Sequence, residues 1–144
     1  MLVKKLTRNQ LMFIRTFAEL NATSAIPQST LYVLAYLTIC TDPEQPSVAI
    51  MQALDLSAGS VSMALNMLIA AGFVDRIKRK GERQPYYRIN SEGWRKGVQQ
   101  RIDAIHNLRM FADRARKVAP LNERVAAMQE TYALFDEKLR NLFP

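Results

Sequence analysis

The chain has 144 residues, 49% of them hydrophobic and 23% charged, and a net charge of +7. That apolar share excludes a disordered chain and suits one domain with its own core. No apolar run reaches the eighteen or so residues of a bilayer span, and a single cysteine, Cys40, excludes an intramolecular disulfide. Met1-Leu-Val-Lys-Lys5 leads into polar residues, so no signal peptide is read and a reducing cytoplasm is the expected setting. The positive charge suits a polyanion partner, and it is unevenly spread. Residues 1–27 carry +3, 28–72 carry −3, 73–89 carry +4, 90–119 carry +4 and 120–144 carry −1.

Thr7-Arg-Asn-Gln10 has the form of a capping box, and Leu11, Ile14, Phe17 and Ala18 recur behind it at helical spacing. A first helix is predicted near 8–22, with 21–27 as its exit loop. Residues 28–41 are apolar nearly all round, which predicts a helix buried on several sides. Thr41-Asp-Pro-Glu-Gln-Pro46 is a turn cluster. Ser47 is read as the cap of a short helix ending at Leu54. After the turn Asp55-Leu56-Ser57, Ser57 caps a helix over 57–71 with Val61, Leu65, Leu68 and Ile69 inward. Gly72 supplies the left-handed residue that ends it. Phe73–Lys78 and Tyr86–Ile89 read as two strands joined by a loop over Lys80–Pro85.

Ser91 is read as the cap of a long helix over 92–118, with Trp94, Val98, Ile102, Ile105, Ala112 and Ala115 as its inner stripe. Pro120 fits the first position of a last helix. There Leu121, Val125, Met128, Tyr132, Phe135, Leu139 and Leu142 alternate by four and three, an apolar heptad stripe with charges between. Such a stripe predicts either packing on the helix before it or a seam between two copies.

Catalysis finds little support. One histidine, His106, and one cysteine cannot supply the ligand set of a metal site, and no phosphate-cradling glycine loop or nucleophile elbow is present. No cofactor and no enzymatic activity are expected. Nothing basic surrounds Cys40, so it reads as a buried thiol and not as a reactive one.

Helix 57–71 and the hairpin after it carry the functional signal. Small residues allow the helix close approach to a groove, and Ser60, Ser62 and Asn66 offer hydrogen-bonding groups to base edges or phosphates. Read alone, the same residues also suit a tightly packed core helix. The hairpin places Arg76, Lys78, Arg79, Lys80, Arg83 and Arg88 within thirteen residues, opposed inside that span only by Glu82. A small-residue helix followed by a basic hairpin is the layout of a winged helix-turn-helix: mainly α, with a small β-hairpin.

Gln52-Ala-Leu-Asp-Leu-Ser57, Ser60-Val-Ser-Met-Ala-Leu65, Leu68 and Ala71-Gly-Phe-Val74 resemble the helix-turn-helix of the MarR superfamily. Gly59-Ser-Val-Ser-Met-Ala-Leu65 looks most like its GbsR-like branch. Lys80-Gly-Glu-Arg83 followed by Tyr86-Tyr87 resembles the wing tip and returning strand. The resemblance covers residues 28–90; outside it only the order of helices agrees. It implies a dimeric bacterial transcription regulator that binds double-stranded DNA and answers to a small-molecule effector. It also implies one domain, in which 28–90 reads DNA and 1–27 with 91–144 form a helical dimerisation region.

Taken residue by residue, the resemblance turns Ser57, Gly59, Ser60, Ser62 and Met63 toward DNA, with Arg83 as the wing arginine. The residues themselves add Asn66, Lys78, Arg79 and Lys80. The chain departs from the pattern at Ala58 and Asn66, where relatives often carry a basic residue. The heptad residues 121–142 are the expected dimer seam, and Phe17, Tyr32, Tyr36 and Trp94 are candidate walls of an effector pocket. Two other readings remain open at this point. One is a winged-helix protein-interaction module, and the other is a replication or partition protein that binds DNA without regulating a promoter.

Overall fold

The computed structural model describes residues 5–142. The chain packs as two compact units, one ending at Trp94 and one beginning at Arg95. In chain order the first holds α1 (Arg8–Leu20), α2 (Gln28–Ile39), β1 (Gln45–Pro46), α3 (Ser47–Leu54), α4 (Ala58–Ala70), β2 (Val74–Ile77) and β3 (Tyr86–Ile89). The second is built from α5 (Gly93–Val118), whose first residues belong to the first unit, and α6 (Glu123–Arg140). This is the mostly helical, winged-helix architecture that the sequence predicts.

The first unit closes around one core. Val33, Leu34, Ala35 and Leu37 of α2 meet Ile14 of α1, Ile50 of α3, Val61, Ala64, Leu65 and Leu68 of α4, and Val74 of β2, all buried. The apolar surround read for α2 is therefore used on every side. Each Val, Leu or Ile side chain so removed from water contributes on the order of 1.5–3 kcal/mol.

Local signals explain most boundaries. Thr7 Oγ1 accepts from the Gln10 N–H at 3.2 Å, and Gln10 Oε1 accepts from the Thr7 N–H at 2.8 Å, completing the capping box. Ser57 Oγ accepts from the Ser60 N–H at 3.1 Å and opens α4. Gly72, at φ +82°, ends it, with the Phe73 N–H bonded to Leu68 O and the Gly72 N–H to Ile69 O. That is a full Schellman closure.

Three expectations are corrected and one is extended. Ser47 does not cap α3: Pro46 occupies the cap position in an extended conformation and Ser47 is already helical. The two predicted hairpin strands form and gain a third partner, in an antiparallel sheet ordered β1-β3-β2 in which Gln45 and Pro46 pair with Tyr87 and Tyr86. Asn90, not Ser91, prepares the start of α5, its Oδ1 accepting from the Glu92 N–H at 3.0 Å. Pro120 lies before α6, and Asn122 caps it by accepting from the N–H groups of Arg124 and Val125 at 2.9 and 3.3 Å.

Gly93 explains how the sheet meets the start of α5. A Cβ there would stand 2.7 Å from Phe73 Cα and 2.8 Å from Gly72 O, so only glycine fits. The close approach brings Trp94 edge-on to Phe73, with ring centroids 5.3 Å apart, and to Phe17, at 6.2 Å.

In the second unit α5 and α6 are joined by polar contacts. Asp136 is buried and is reached by His106 Nδ1 at 3.1 Å, Arg109 Nη1 at 3.0 Å and Arg140 Nε at 3.3 Å. Arg140 also packs directly against the His106 ring. Gln129 donates to Asp113 at 2.8 Å and accepts from Arg116 at 3.1 Å. Of the stripe read on α5, Ile102 and Ala112 are buried, whereas Val98 and Trp94 are exposed. Of the heptad residues, Val125, Met128, Tyr132 and Leu139 are partly buried, whereas Phe135 is 51% exposed and Leu121 95%.

Candidate nucleic-acid interface

The axes of α3 and α4 turn by 115° across the Asp55–Ser57 connection, the geometry of a helix-turn-helix. Asp55 permits that turn by taking a left-handed conformation, φ +52°, and the Leu56 N–H returns to Met51 O at 3.1 Å. Asparagine and aspartate tolerate this region better than other non-glycine residues. With Val61, Ala64, Leu65 and Leu68 fixed in the core, the opposite face of α4 is set: Gly59, Ser62, Met63 and Asn66 are exposed along one side, with Met67 beside them.

Not every candidate on this helix is equally free. The Ser57 hydroxyl donates to Ser60 Oγ at 3.0 Å while its oxygen caps the helix. Both serines therefore serve the first turn. Ser62, Met63 and Asn66 form the open surface, and Met63 is 62% exposed. No Lys or Arg stands on α4, so any recognition there runs through hydroxyl, amide and thioether groups.

The wing follows directly. β2 and β3 pair from Val74↔Ile89 to Ile77↔Tyr86, and Gly81 turns the tip at φ +81°. Arg76, Lys78, Lys80, Arg83 and Arg88 are exposed, and Lys80 and Arg83 flank the tip. Arg79 differs. Its Nη2 and Nε donate to Glu44 Oε2 at 2.7 and 3.0 Å, and its guanidinium lies 3.7 Å over the Tyr86 ring. Glu44 also stands 3.7 Å from Arg88. The hydrogen bonds to the Glu44 carboxylate raise the Arg79 pKa above the ordinary arginine value, so the group is a permanent cation.

Glu44 was not legible as a wing residue. The sequence shows it only in a turn cluster, thirty-five positions from Arg79. What brings it there is the two-residue strand β1, whose pairing with β3 sets Glu44 beside Arg88. Asp136 likewise carries no sequence signal beyond a carboxylate on the polar side of the heptad.

The four aromatic candidates do not gather at one cavity. Phe17 and Trp94 meet edge to face, and Tyr32 Oη accepts from Gln28 at 2.8 Å. Tyr36 is buried, donates to Gln45 Oε1 at 2.9 Å, and lines a cavity of about 260 Å³ with Leu6, Cys40, Pro46 and Tyr86. The other three do not line it. Burial pushes the Tyr36 hydroxyl up to about 12 and the Cys40 thiol up to about 11, so both stay neutral near pH 7.

No family model matches the chain. It is 33% identical over 81 residues to the HTH-type transcriptional regulator MmpR5 of Mycobacterium tuberculosis, a match that covers 56% of this chain and 49% of that protein. The chain thus spans about half the length of the curated relative it matches. A crystal structure of a transcriptional regulator superposes over 93% of this chain and 95% of its own, at 25% identity and a TM-score of 0.72. Wild-type MarR from E. coli aligns over 98% of this chain and all of its own, a slighter likeness at 14% identity and a TM-score of 0.47.

Proposed function

We propose that this chain is a dimeric, sequence-specific duplex-DNA-binding transcription regulator of the MarR type. One observation carries the reading: the uncovered face of α4 and the exposed cations of the wing belong to one compact helix-turn-helix unit. The helix offers hydrogen-bonding and apolar groups suited to a major groove. The wing offers Lys78, Lys80 and Arg83 to flanking phosphates, with Arg83 suited to a narrow minor groove. The similarity to two transcriptional regulators supports the same reading. Within that type, Gly59–Leu65 favours the GbsR-like branch.

Dimerisation rests on the second unit. A lone helix-turn-helix engages little of a duplex, and a two-fold pair doubles the contacts on a palindromic site. Leu121, Phe135 and Leu142 in and around α6, and Val98, Phe111 and Val118 on α5, are large apolar residues left in water by the single chain. Exposed apolar residues on both helices support an interface there. In this arrangement residues 28–90 read DNA, and 1–27 with 91–144 hold the dimer. A small effector would enter the cavity that Tyr36 lines.

Binding titrations at several salt concentrations test the reading. Neutralising Lys80 or Arg83 should weaken binding to every sequence and flatten the salt dependence by about one ion for each phosphate no longer engaged. Ser62→Ala or Asn66→Ala should leave the salt slope in place and erode the specific-to-nonspecific ratio by roughly 1–3 kcal/mol. Specificity untouched by both alanine variants would remove α4 as the reading element, and would favour a winged-helix protein-interaction module.

A further inference from the structure

The wing holds more cations than it presents. Arg79 is clamped from two directions, by a two-pronged hydrogen bond to Glu44 Oε2 and by the face of Tyr86. Glu44 itself comes from outside the wing, from the residue just before β1, and its other oxygen faces Arg88 at 3.7 Å. It is three-quarters shielded, and Arg79 about two-thirds. A carboxylate so placed has two consequences. It ties the base of the hairpin to the sheet edge, and it satisfies a guanidinium that would otherwise seek a phosphate.

Resting on the DNA-binding reading above, we propose that Glu44 is a specificity-setting residue that withholds Arg79 from the DNA backbone. The wing then meets phosphate through Lys78, Lys80 and Arg83, and Arg79 acts as a positioning residue for the loop that carries them. The physical gain is selectivity. Each phosphate contact strengthens binding to all sequences alike, whereas α4 carries no charge with which to raise the specific component. Removing one cation from the wing lowers the non-specific background without touching the face that reads bases.

The test compares wild type, Glu44→Gln, Arg79→Gln and the double variant on a short random-sequence duplex and on the duplex upstream of the chain's own coding sequence. In Glu44→Gln the freed Arg79 should steepen the salt slope by about one unit, an extra roughly threefold loss of affinity for a fourfold rise in salt. Random-sequence affinity should rise at low salt and the specificity ratio should fall. Arg79→Gln alone should leave the slope unchanged, and the double variant should return it to the wild-type value. Glu44→Asp, which keeps the charge, should stay near wild type. Hydrogen exchange across residues 79–88 should quicken in Glu44→Gln, reporting the loosened hairpin without any DNA.

A merely structural clamp would lower the melting temperature of Glu44→Gln and leave its salt slope alone, and that result overturns the proposal. So does a slope flattened by Arg79→Gln to the extent that Lys80→Gln flattens it. If wild type binds neither duplex at any salt concentration, the regulator reading fails. The clamp is then judged on exchange, and unchanged exchange in Glu44→Gln overturns it as well.

Discussion

The two units of this chain differ in what they bury. The unit ending at Trp94 seals a wide apolar core around Val33, Ile50, Val61 and Leu65, while Leu20 and Met63 stay exposed on its surface. The unit beginning at Arg95 buries Ile102, Ala112 and a carboxylate, Asp136, and leaves Phe111, Val118, Phe135 and Leu142 in water. A fold that stabilises itself looks like the first. The second joins α5 to α6 by hydrogen bonds and ion pairs and leaves several large apolar residues exposed. Gln129 with Asp113, and His106 with Asp136, join α5 to α6 through polar contacts.

Placing a charge on the unused stripe puts this contrast under the greatest strain. Phe135→Asp removes little from the single chain, because that side chain is already half in water. In a dimer it would bury one unpaired carboxylate per copy, at a cost of several kcal/mol, on the order of 3–5 for each. Sedimentation at micromolar concentration should show monomer for the variant and dimer for wild type. A wild type that sediments as a monomer, folded, refutes the intersubunit seam.

The matching change in the first unit should behave differently. Leu65→Ala empties a fully enclosed site of α4 and should lower unfolding stability by about 2–5 kcal/mol, measured by urea titration. The loss should be the same at every protein concentration, since no partner is involved in packing Leu65. A loss that shrinks as protein concentration rises would place Leu65 at an interface and undo the distinction between the units.

How much of this was readable from residues alone follows the range of the forces involved. Capping at Thr7 and Ser57, the glycine stop at Gly72 and the inward stripe Val61, Leu65, Leu68 are set by neighbours three or four residues apart, and all were legible. The apolar wrapping of α2 was legible too, because burial on every side leaves no polar face. β1 was not, since two residues carry no alternation and their only partner is forty positions away. The Glu44 clamp depends on β1 and so was hidden with it. Asp136 was hidden for another reason. A period of seven marks which side of α6 is apolar, and says nothing about whether the chain's own neighbour takes that side or the polar one. Whether Ser62, Met63 and Asn66 read DNA is a matter of function that their exposure permits and binding experiments decide.

The buried carboxylate gives a pH test of the second unit. Burial by itself raises the Asp136 carboxyl, but the hydrogen bonds from His106 and Arg109 and the charge of Arg140 outweigh it and hold the group below the ordinary carboxylate value. A carboxylate whose folded pKa is depressed stabilises the fold above its unfolded pKa, about 3.9, and loses that contribution as pH falls toward the folded value. Acid melting of wild type should therefore steepen below about pH 4, and Asp136→Asn should be less stable near neutral pH and less sensitive to acid. Equal acid sensitivity in the two proteins would mean that the contacts around Asp136 hold nothing together.

The smallest effect bears on the first unit's independence. Cys40 Sγ donates to Asp42 O at 3.1 Å and approaches Leu37 O at 3.4 Å at the end of α2. Burial raises its pKa from an ordinary 9.0 to about 11. The reactive species is the thiolate, so alkylation by iodoacetamide at about pH 8 should run about a hundredfold slower than for a free thiol. A raised thiol pKa stabilises the fold below the unfolded value and loses that contribution as pH climbs from 9.0 through about 11. The slow alkylation should persist in the monomeric Phe135→Asp variant, because everything that shields Cys40 lies in its own unit: α2, the turn at Asp42 and the cavity wall of Tyr36 and Pro46. If the thiol becomes fast only when the dimer is broken, the winged unit depends on the helices after Trp94, and the contrast between a self-sufficient unit and a dependent one is lost.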